Sequence, residues 1–135
     1  MRLGWRRRRW NCSNNKIPVD TRTKILSNED ARKLAGATIV SGCFDPITHA
    51  HAERLKGLKK HGSPLLVLIA TPANPILPAE ARANLIAGLA CVDAVTIIGS
   101  VYPEGLTPHT QLETEDAARL EQLIQHVQSR QQAAQ

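Results

Sequence analysis

The feature that most constrains the fold is a short apolar run, Pro64-Leu-Leu-Val-Leu-Ile-Ala70, which no polar side chain interrupts. Strands of a half-exposed antiparallel sheet alternate apolar and polar residues, whereas a central strand of a parallel sheet is covered on both faces. We therefore expect residues 64–70 to form a buried central strand. Aromatic residues make up only 3% of the chain, which favours a small core of aliphatic side chains over an aromatic-rich sandwich.

Strand-like and helix-like segments alternate around this run. The predicted strands are 37–41, 64–70 and 94–98, and the predicted helices are 28–35, 49–61, 79–91 and 113–131. Right-handed crossovers place such strands in one parallel sheet with ligand sites at their carboxyl ends. We therefore predict a three-layer α/β fold of Rossmann-like type, a small parallel sheet flanked by helices, with a site at the ends of the first and third strands.

The same periodicity predicts which helix faces point inward and where loops lie. Residues 71–78 and 101–111 are typical of loops because of their prolines and small polar residues. The inward stripe of the second helix comprises His51, Leu55 and Leu58; helix 79–91 is expected to bury Leu85, Ile86 and Leu89; and Leu120, Ile124 and Val127 share one face of the last helix.

The positive charge of the chain is concentrated at its amino-terminal end. Of a formal net charge of +5, residues 1–24 contribute +7, so the remainder is net −2. We therefore divide the chain into a basic, disordered extension, residues 1–24, and a folded domain, residues 25–135. Nucleic-acid binding is the weakest function hypothesis, because it depends only on Trp5 and Trp10 around Arg6 to Arg9.

Targeting signals are not evident in the sequence. No apolar run reaches the ~18 residues that a membrane span needs, and the basic segment has neither the apolar core of a secretory signal nor the period of a transit peptide. We expect a soluble cytoplasmic protein without membrane partners. Three widely spaced cysteines without a CxxC pair indicate neither a disulfide framework nor a metal site.

The chemically informative segment joins the first strand to the second helix. Residues 42–51 read GCFDPITHAH and contain a glycine at the turn, a carboxylate and two imidazoles. Backbone N–H groups at such a turn, together with a helix amino-terminus, can approach phosphate oxygens closely. Imidazoles at the same place can donate hydrogen bonds to phosphoryl oxygens as negative charge develops.

This segment resembles the nucleotidyltransferases whose fingerprint is G-x-F-D-x-x-(H/T)-x-G-H. The segment GCFD (42–45) and the preceding Lys24-Ile-Leu-Ser are most similar to the branch of heptose-phosphate adenylyltransferase and glycerol-3-phosphate cytidylyltransferase. The segment Asp-Pro-Ile-Thr (45–48) is similar to phosphopantetheine adenylyltransferase. Glu80-Ala-Arg82 and Ala90-Cys-Val-Asp93 resemble two further family elements, so the resemblance covers residues 24–99.

The resemblance implies transfer of CMP or AMP from CTP or ATP to a phosphorylated sugar or polyol, with Mg²⁺ offsetting phosphate charge and pyrophosphate leaving. Thr48 and His51 would be the catalytic residues that contact the triphosphate. The nucleotide-binding residues implied are Gly42, Cys43, Phe44, Asp45, His49 and Arg82. Asp45 is expected to hold the turn or orient the helix rather than act as a base. The resemblance does not decide whether the chain forms a homodimer.

Three departures from the family pattern keep a second reading open. Ala50 replaces the motif glycine, the second family signature is absent after Gly99, and residues 71–81 contain neither Lys nor Arg. Arg82 is weighed equally as a structural residue. The alternative is therefore a catalytically degenerate domain of the same fold that binds nucleotide or a protein partner.

Overall fold

The computed structural model describes residues 20–134, which form a four-stranded parallel sheet with helices on both faces. The strands are β1 (Thr38–Gly42), β2 (Leu65–Ile69), β3 (Ala94–Ile97) and β4 (Thr110–Gln111), and the helices are α1 (Asn28–Arg32), α2 (His49–Leu58), α3 (Ala79–Ala87) and α4 (Glu113–Ala133). The sheet order is β3-β2-β1-β4, and every pairing is parallel.

Strand β2 lies inside the sheet, as its apolar sequence predicts. All five of its residues are buried, and it pairs with β1 on one side and β3 on the other. Leu65, Val67 and Ile69 belong to one hydrophobic cluster, while Leu66 and Leu68 belong to the other. The uninterrupted run thus supplies both faces of the sheet, because successive side chains of a strand point to opposite sides.

Helices cover each face of the sheet, which confirms the predicted three-layer Rossmann-like α/β fold. On one face, Leu55 of α2 and Ile86 of α3 pack in the larger cluster with Val40 and Val67. On the other face, Ala31 of α1 and Leu106 of the segment after β3 pack against Leu66 and Leu68. Among residues 20–134, no helix is long and apolar enough to cross a membrane.

The prediction of a loop over 101–111 is wrong at its end, where β4 forms. Thr110 and Gln111 pair with Val40 and Ser41 of β1, and the Nδ1 atom of His109 accepts a hydrogen bond from the backbone N–H of Ile39 at 3.0 Å. A two-residue strand carries no periodicity, so only its partner reveals it. Strands β1 and β3 are also not neighbours, because β2 lies between them.

The predicted inward faces need two corrections. In α3 the buried residues are Arg82, Ala83, Ile86 and Ala87, whereas Leu85 is 48% exposed. In α4 the apolar stripe is not covered, since Ile124 and Val127 are 43% and 45% exposed. Helices α1, α2 and α3 each end three or four residues before the predicted bounds. The ends of helices fray, so they are the least certain part of a predicted helix.

The amino-terminal prediction falls partly within the described residues. Thr21–Lys24, which the sequence places in the disordered extension, form a 3-10 helix instead, and Asp20 accepts a hydrogen bond from the backbone N–H of Arg22 as its cap. The Lys24 ammonium donates to the carbonyl of Leu89 at 3.1 Å, which anchors this turn to the domain. Residues 1–19 lie outside the described part, so the predicted disorder there stays a prediction.

Candidate functional site

The turn between β1 and α2 brings two backbone donors together. Strand β1 ends at Gly42, and the N–H groups of Cys43 and Phe44 both point to one carboxylate oxygen, Oδ2 of Asp116, at 2.8 and 3.3 Å. Phe44 has a φ angle of 51°, a left-handed conformation uncommon for a residue with a side chain. Successive N–H groups in such turns form anion-binding concavities. We call these two N–H groups and the His51 ring the anion cradle.

The third donor of the anion cradle is His51, at the start of α2. Its Nε2 atom lies 2.5 Å from Oδ1 of Asp116, and its Nδ1 atom accepts a hydrogen bond from the backbone N–H of Thr48 at 2.9 Å. Because Nδ1 acts as an acceptor, the proton of the neutral ring is on Nε2, which donates to Asp116. Both ring nitrogens are therefore engaged in this structure.

His51 also caps helix α2. Its side chain returns to the N-cap residue Thr48 from the N3 position, where a capping box usually has Glu or Gln. The ring is 2% exposed and contacts the Phe44 ring edge-on, with ring centroids 5.3 Å apart. The residue thus links three features of the site: the start of α2, the turn after β1 and the carboxylate of α4.

Gly42 is required by close approach. A Cβ atom at this position would lie 2.8 Å from two carbon atoms of the Phe44 ring and 3.0 Å from Oδ2 of Asp116. Such distances are shorter than van der Waals contact. The motif glycine therefore leaves space for the ring and the carboxylate that close the anion cradle.

Replacing Gly42 by alanine should consequently destabilise the protein by about 1–3 kcal/mol, the usual cost of overpacking a buried site. The matched control is Gly57→Ala, since nothing lies within 4 Å of a Cβ there and alanine is the better helix former. Urea denaturation followed by circular dichroism measures both variants. An unfolding free energy for the Gly42 variant equal to that of the parent would contradict the packing argument.

Asp45 and Arg82 are turned toward the backbone of the loop after β2. The Asp45 carboxylate accepts hydrogen bonds from the N–H groups of Ile76 and Leu77 at 2.7 and 2.8 Å. The carboxylate thereby ties residues 76–77 to the β1–α2 turn. This contact agrees with the expected turn-holding role, and nucleotide contact by Asp45 stays a prediction.

Arg82 is buried and binds three carbonyl groups. Its Nη1 atom donates to the carbonyls of Cys43 and Ala70 at 2.8 and 2.7 Å, and its Nε atom donates to that of Leu77 at 3.1 Å. The guanidinium therefore fastens α3 to the ends of β1 and β2. Its predicted nucleotide contact is untested, and the bonds observed are those of a structural residue.

A depression of about 360 Å³ opens beside the cradle, at the carboxyl ends of all four strands. Its walls include Cys43 after β1, Thr71 after β2, Gly99 after β3 and Gln111 of β4. This is the edge at which open parallel sheets bind ligands. The sequence predicts a site at the ends of β1 and β3. The depression includes both of these ends and extends to the ends of β2 and β4.

Comparison with known proteins decides the family. The family model described as cytidylyltransferase-like matches residues 39–130, more than half of the chain. The chain belongs to the cytidylyltransferase-like family. The suspected family is thus confirmed, and the match extends into α4, beyond the motifs recognised in the sequence.

A curated relative supports the same assignment for this cytidylyltransferase-like chain. The chain is 28% identical over 96 residues to the bifunctional protein HldE of Gluconobacter oxydans (strain 621H). The aligned region is 64% of this chain and 20% of that protein. The chain therefore corresponds to about a fifth of the length of this relative.

The wall of the depression also contains a hydrogen-bonded chain that the sequence did not predict. The Tyr102 hydroxyl donates to Oε1 of Glu113 at 2.7 Å and lies 3.2 Å from Oγ of Ser41. Burial, followed by the neighbouring Glu113 carboxylate, raises the pKa of Tyr102. The second Glu113 oxygen, Oε2, is buried and has no hydrogen-bond partner among residues 20–134.

The electrostatics of the site in this cytidylyltransferase-like chain are acidic. Neither the depression nor the smaller cavity lined by Asp45, Glu113 and Asp116 has a Lys or Arg among its described lining residues, whereas the cavity lined by Thr48, His51 and Asp116 includes Arg119. Burial, with Asp116 and Glu113 as further causes, raises the pKa of the Cys43 thiol. The thiol therefore stays protonated at neutral pH and is a poor nucleophile.

The carboxylates of the site do not form a metal centre by themselves. Within residues 20–134, no group of three or more His, Cys, Asp or Glu side chains is arranged to hold a metal ion, and both oxygens of Asp45 and of Asp116 already accept hydrogen bonds. The side chains present thus do not fit a protein-held Mg²⁺. The ion stays a prediction that comes from the family resemblance.

The structure brings some of the predicted site residues together and separates others. Gly42, Cys43, Phe44 and His51 meet at the anion cradle, with Thr48 against the His51 ring. His49 is exposed at the start of α2. Asp116, Glu113 and Tyr102 were missed. Acidic residues at a helix start favour the positive end of the helix dipole whatever else they do, and no local signal in the sequence shows that one of them reaches β1.

Proposed function

We propose that this chain transfers a nucleotidyl group, CMP or AMP, from CTP or ATP to a phosphorylated sugar or polyol, releasing pyrophosphate. The observation that carries the proposal is the convergence of two backbone N–H groups and one imidazole N–H on a single carboxylate at the end of β1. Three donors that hold a carboxylate are equally suited to phosphate oxygens. Family membership supports the reaction class.

The reaction needs no covalent intermediate with the protein. An oxygen of the acceptor phosphate forms a bond to the α-phosphorus, and the bond between that phosphorus and the bridging oxygen breaks, so pyrophosphate leaves with the electron pair. The contribution of the protein is positioning and stabilisation of charge. His51, as a neutral Nε2–H donor, serves the second role, while Thr48 holds the ring in the required tautomer through its backbone N–H.

Release of pyrophosphate tests the proposal. CTP and ATP are each offered with a panel of sugar and polyol phosphates in the presence of Mg²⁺, and turnover is compared with that of His51→Gln. Glutamine at N3 can keep the cap on Thr48 but has a different reach toward the cradle. We expect His51→Gln to lower kcat on the order of 100-fold, while the control Glu121→Gln, on the exposed part of α4, leaves it unchanged.

Failure of every nucleotide and acceptor pair to release pyrophosphate above the His51→Gln background, with the parent protein folded, would refute the transferase proposal. A nucleotide-binding domain without turnover is the second candidate. It is favoured by one observation, the absence of Lys and Arg from the described walls of the depression. Calorimetric binding of CTP or ATP without turnover would support that candidate, and absence of both would leave a scaffold.

A further inference from the structure

We infer that α4 acts as a self-inhibitory latch, because Asp116 occupies the anion cradle and has to leave before a phosphate can bind there. The inference rests on the proposed function, since it takes the same cradle as the phosphate site. Asp116 is 6% exposed, and its two oxygens accept from Cys43, Phe44 and His51. The proposed occupant is thus part of the chain itself.

Occupancy by Asp116 and by a phosphate are mutually exclusive. Each of the three donors carries one proton toward the cradle, and each of these protons is already used by a carboxylate oxygen. The carboxylate is also negative, so it would repel a phosphate that approached the same donors. The cavity lined by His51 and Asp116 also contains Arg119, which is itself a residue of α4.

Helix α4 is attached in a way that allows it to move. Of its 21 residues, all of them described, only Asp116 is buried. The preceding residue, Leu112, is completely buried in the larger hydrophobic cluster and provides a fixed point at the helix start. Rotation about Leu112 would therefore withdraw Asp116 while exposing little apolar surface.

Two other polar attachments hold α4 near the cradle: Tyr102 donates to Glu113 at the first residue of the helix, at 2.7 Å, and Arg54 pairs with Glu115 further along. Arg54 of α2 lies 3.5 Å from Glu115, but both side chains are more than 40% exposed. Exposed pairs of this kind contribute little because water and salt screen them. Beyond the first residue of α4, the contact of Asp116 therefore holds the latch closed. The apparent ligand affinity is then reduced, because only the open fraction of the molecules can bind.

Titration of the full-length protein with pyrophosphate, CTP and ATP in a calorimeter tests the latch. We expect Asp116→Ala to bind pyrophosphate on the order of tenfold or more tightly than the parent, because the cradle is vacated. Asp116→Asn should fall between them, because its amide keeps the shape and removes the charge. The control Glu115→Gln removes one neighbouring charge outside the cradle and should change affinity less than twofold.

Equal or weaker pyrophosphate binding by a folded Asp116→Ala would overturn the latch, and a gain shared by Glu115→Gln would overturn it by assigning the effect to net charge. If Asp116→Ala does not fold, Asp116→Asn decides the question by the same criteria. Tighter pyrophosphate binding by Asp116→Ala, with no turnover by any variant, would support the latch and refute the transferase proposal. Turnover by the parent with no gain in Asp116→Ala refutes the latch and leaves the transferase.

Discussion

Replacing Arg82 by leucine should lower the free energy of unfolding by about 3–5 kcal/mol, the largest loss we expect from a single substitution. The guanidinium is 1% exposed and donates to the carbonyls of Cys43, Ala70 and Leu77. Leucine fills part of the volume but donates nothing, and each buried acceptor deprived of its partner costs about 1–3 kcal/mol. Urea denaturation monitored by circular dichroism measures the loss.

Two further variants determine the cause of that loss. Arg82→Lys keeps the charge but loses the planar fork that reaches several carbonyls at once, so it should recover only part of the stability. Arg54→Leu removes an exposed arginine paired with Glu115 and should cost less than about 1 kcal/mol. A stable Arg82→Leu that loses only nucleotide affinity would show instead that Arg82 acts as a phosphate ligand.

His51→Ala should be the second most damaging substitution, with a loss of about 2–5 kcal/mol in the free energy of unfolding. It removes the bond from Thr48 N–H to Nδ1, a capping interaction worth about 0.5–2 kcal/mol. It also removes the charge-assisted bond to Asp116, worth about 1.5–3 kcal/mol. Chemical denaturation measures the sum.

The two contributions can be separated with variants already described. His51→Gln can keep the cap, so its loss should be the smaller one, and Asp116→Asn removes the charge from the other end of the pair. In a double-mutant cycle, His51 and Asp116 should show an interaction energy of at least about 1 kcal/mol. Additive effects of the two substitutions would mean that the bond between them contributes nothing to stability.

The predicted fold was confirmed wherever the pattern was local. The apolar run of β2 requires cover on both faces. Helix α1 begins at residue 28, as predicted, and Ser27 caps it by accepting a hydrogen bond from the N–H of Asp30. The errors arose where pairing with a segment remote in sequence determines the structure. Strand β4 exists because Val40 and Ser41 of β1 leave an edge that Thr110 and Gln111 can pair with.

The inward face of α3 shows the same limit for side chains. Helical periodicity favours burying Leu85, yet the structure buries Arg82 at the interior position and exposes Leu85. The exchange is explained by backbone carbonyls at the ends of β1 and β2, which satisfy the guanidinium. A periodicity argument has no access to those acceptors, because they belong to segments remote in sequence.

The sequence by itself determined a parallel α/β sheet and a phosphate-type turn after its first strand, because apolar periodicity, glycine spacing and helix caps act over a few residues. Only the tertiary structure decided what lies in that turn. Asp116 is 73 residues from Cys43 along the chain, and α4 brings its carboxylate to the Cys43 N–H. Hydrogen bonds depend on distance in space, so a donor set can be predicted locally while its occupant cannot.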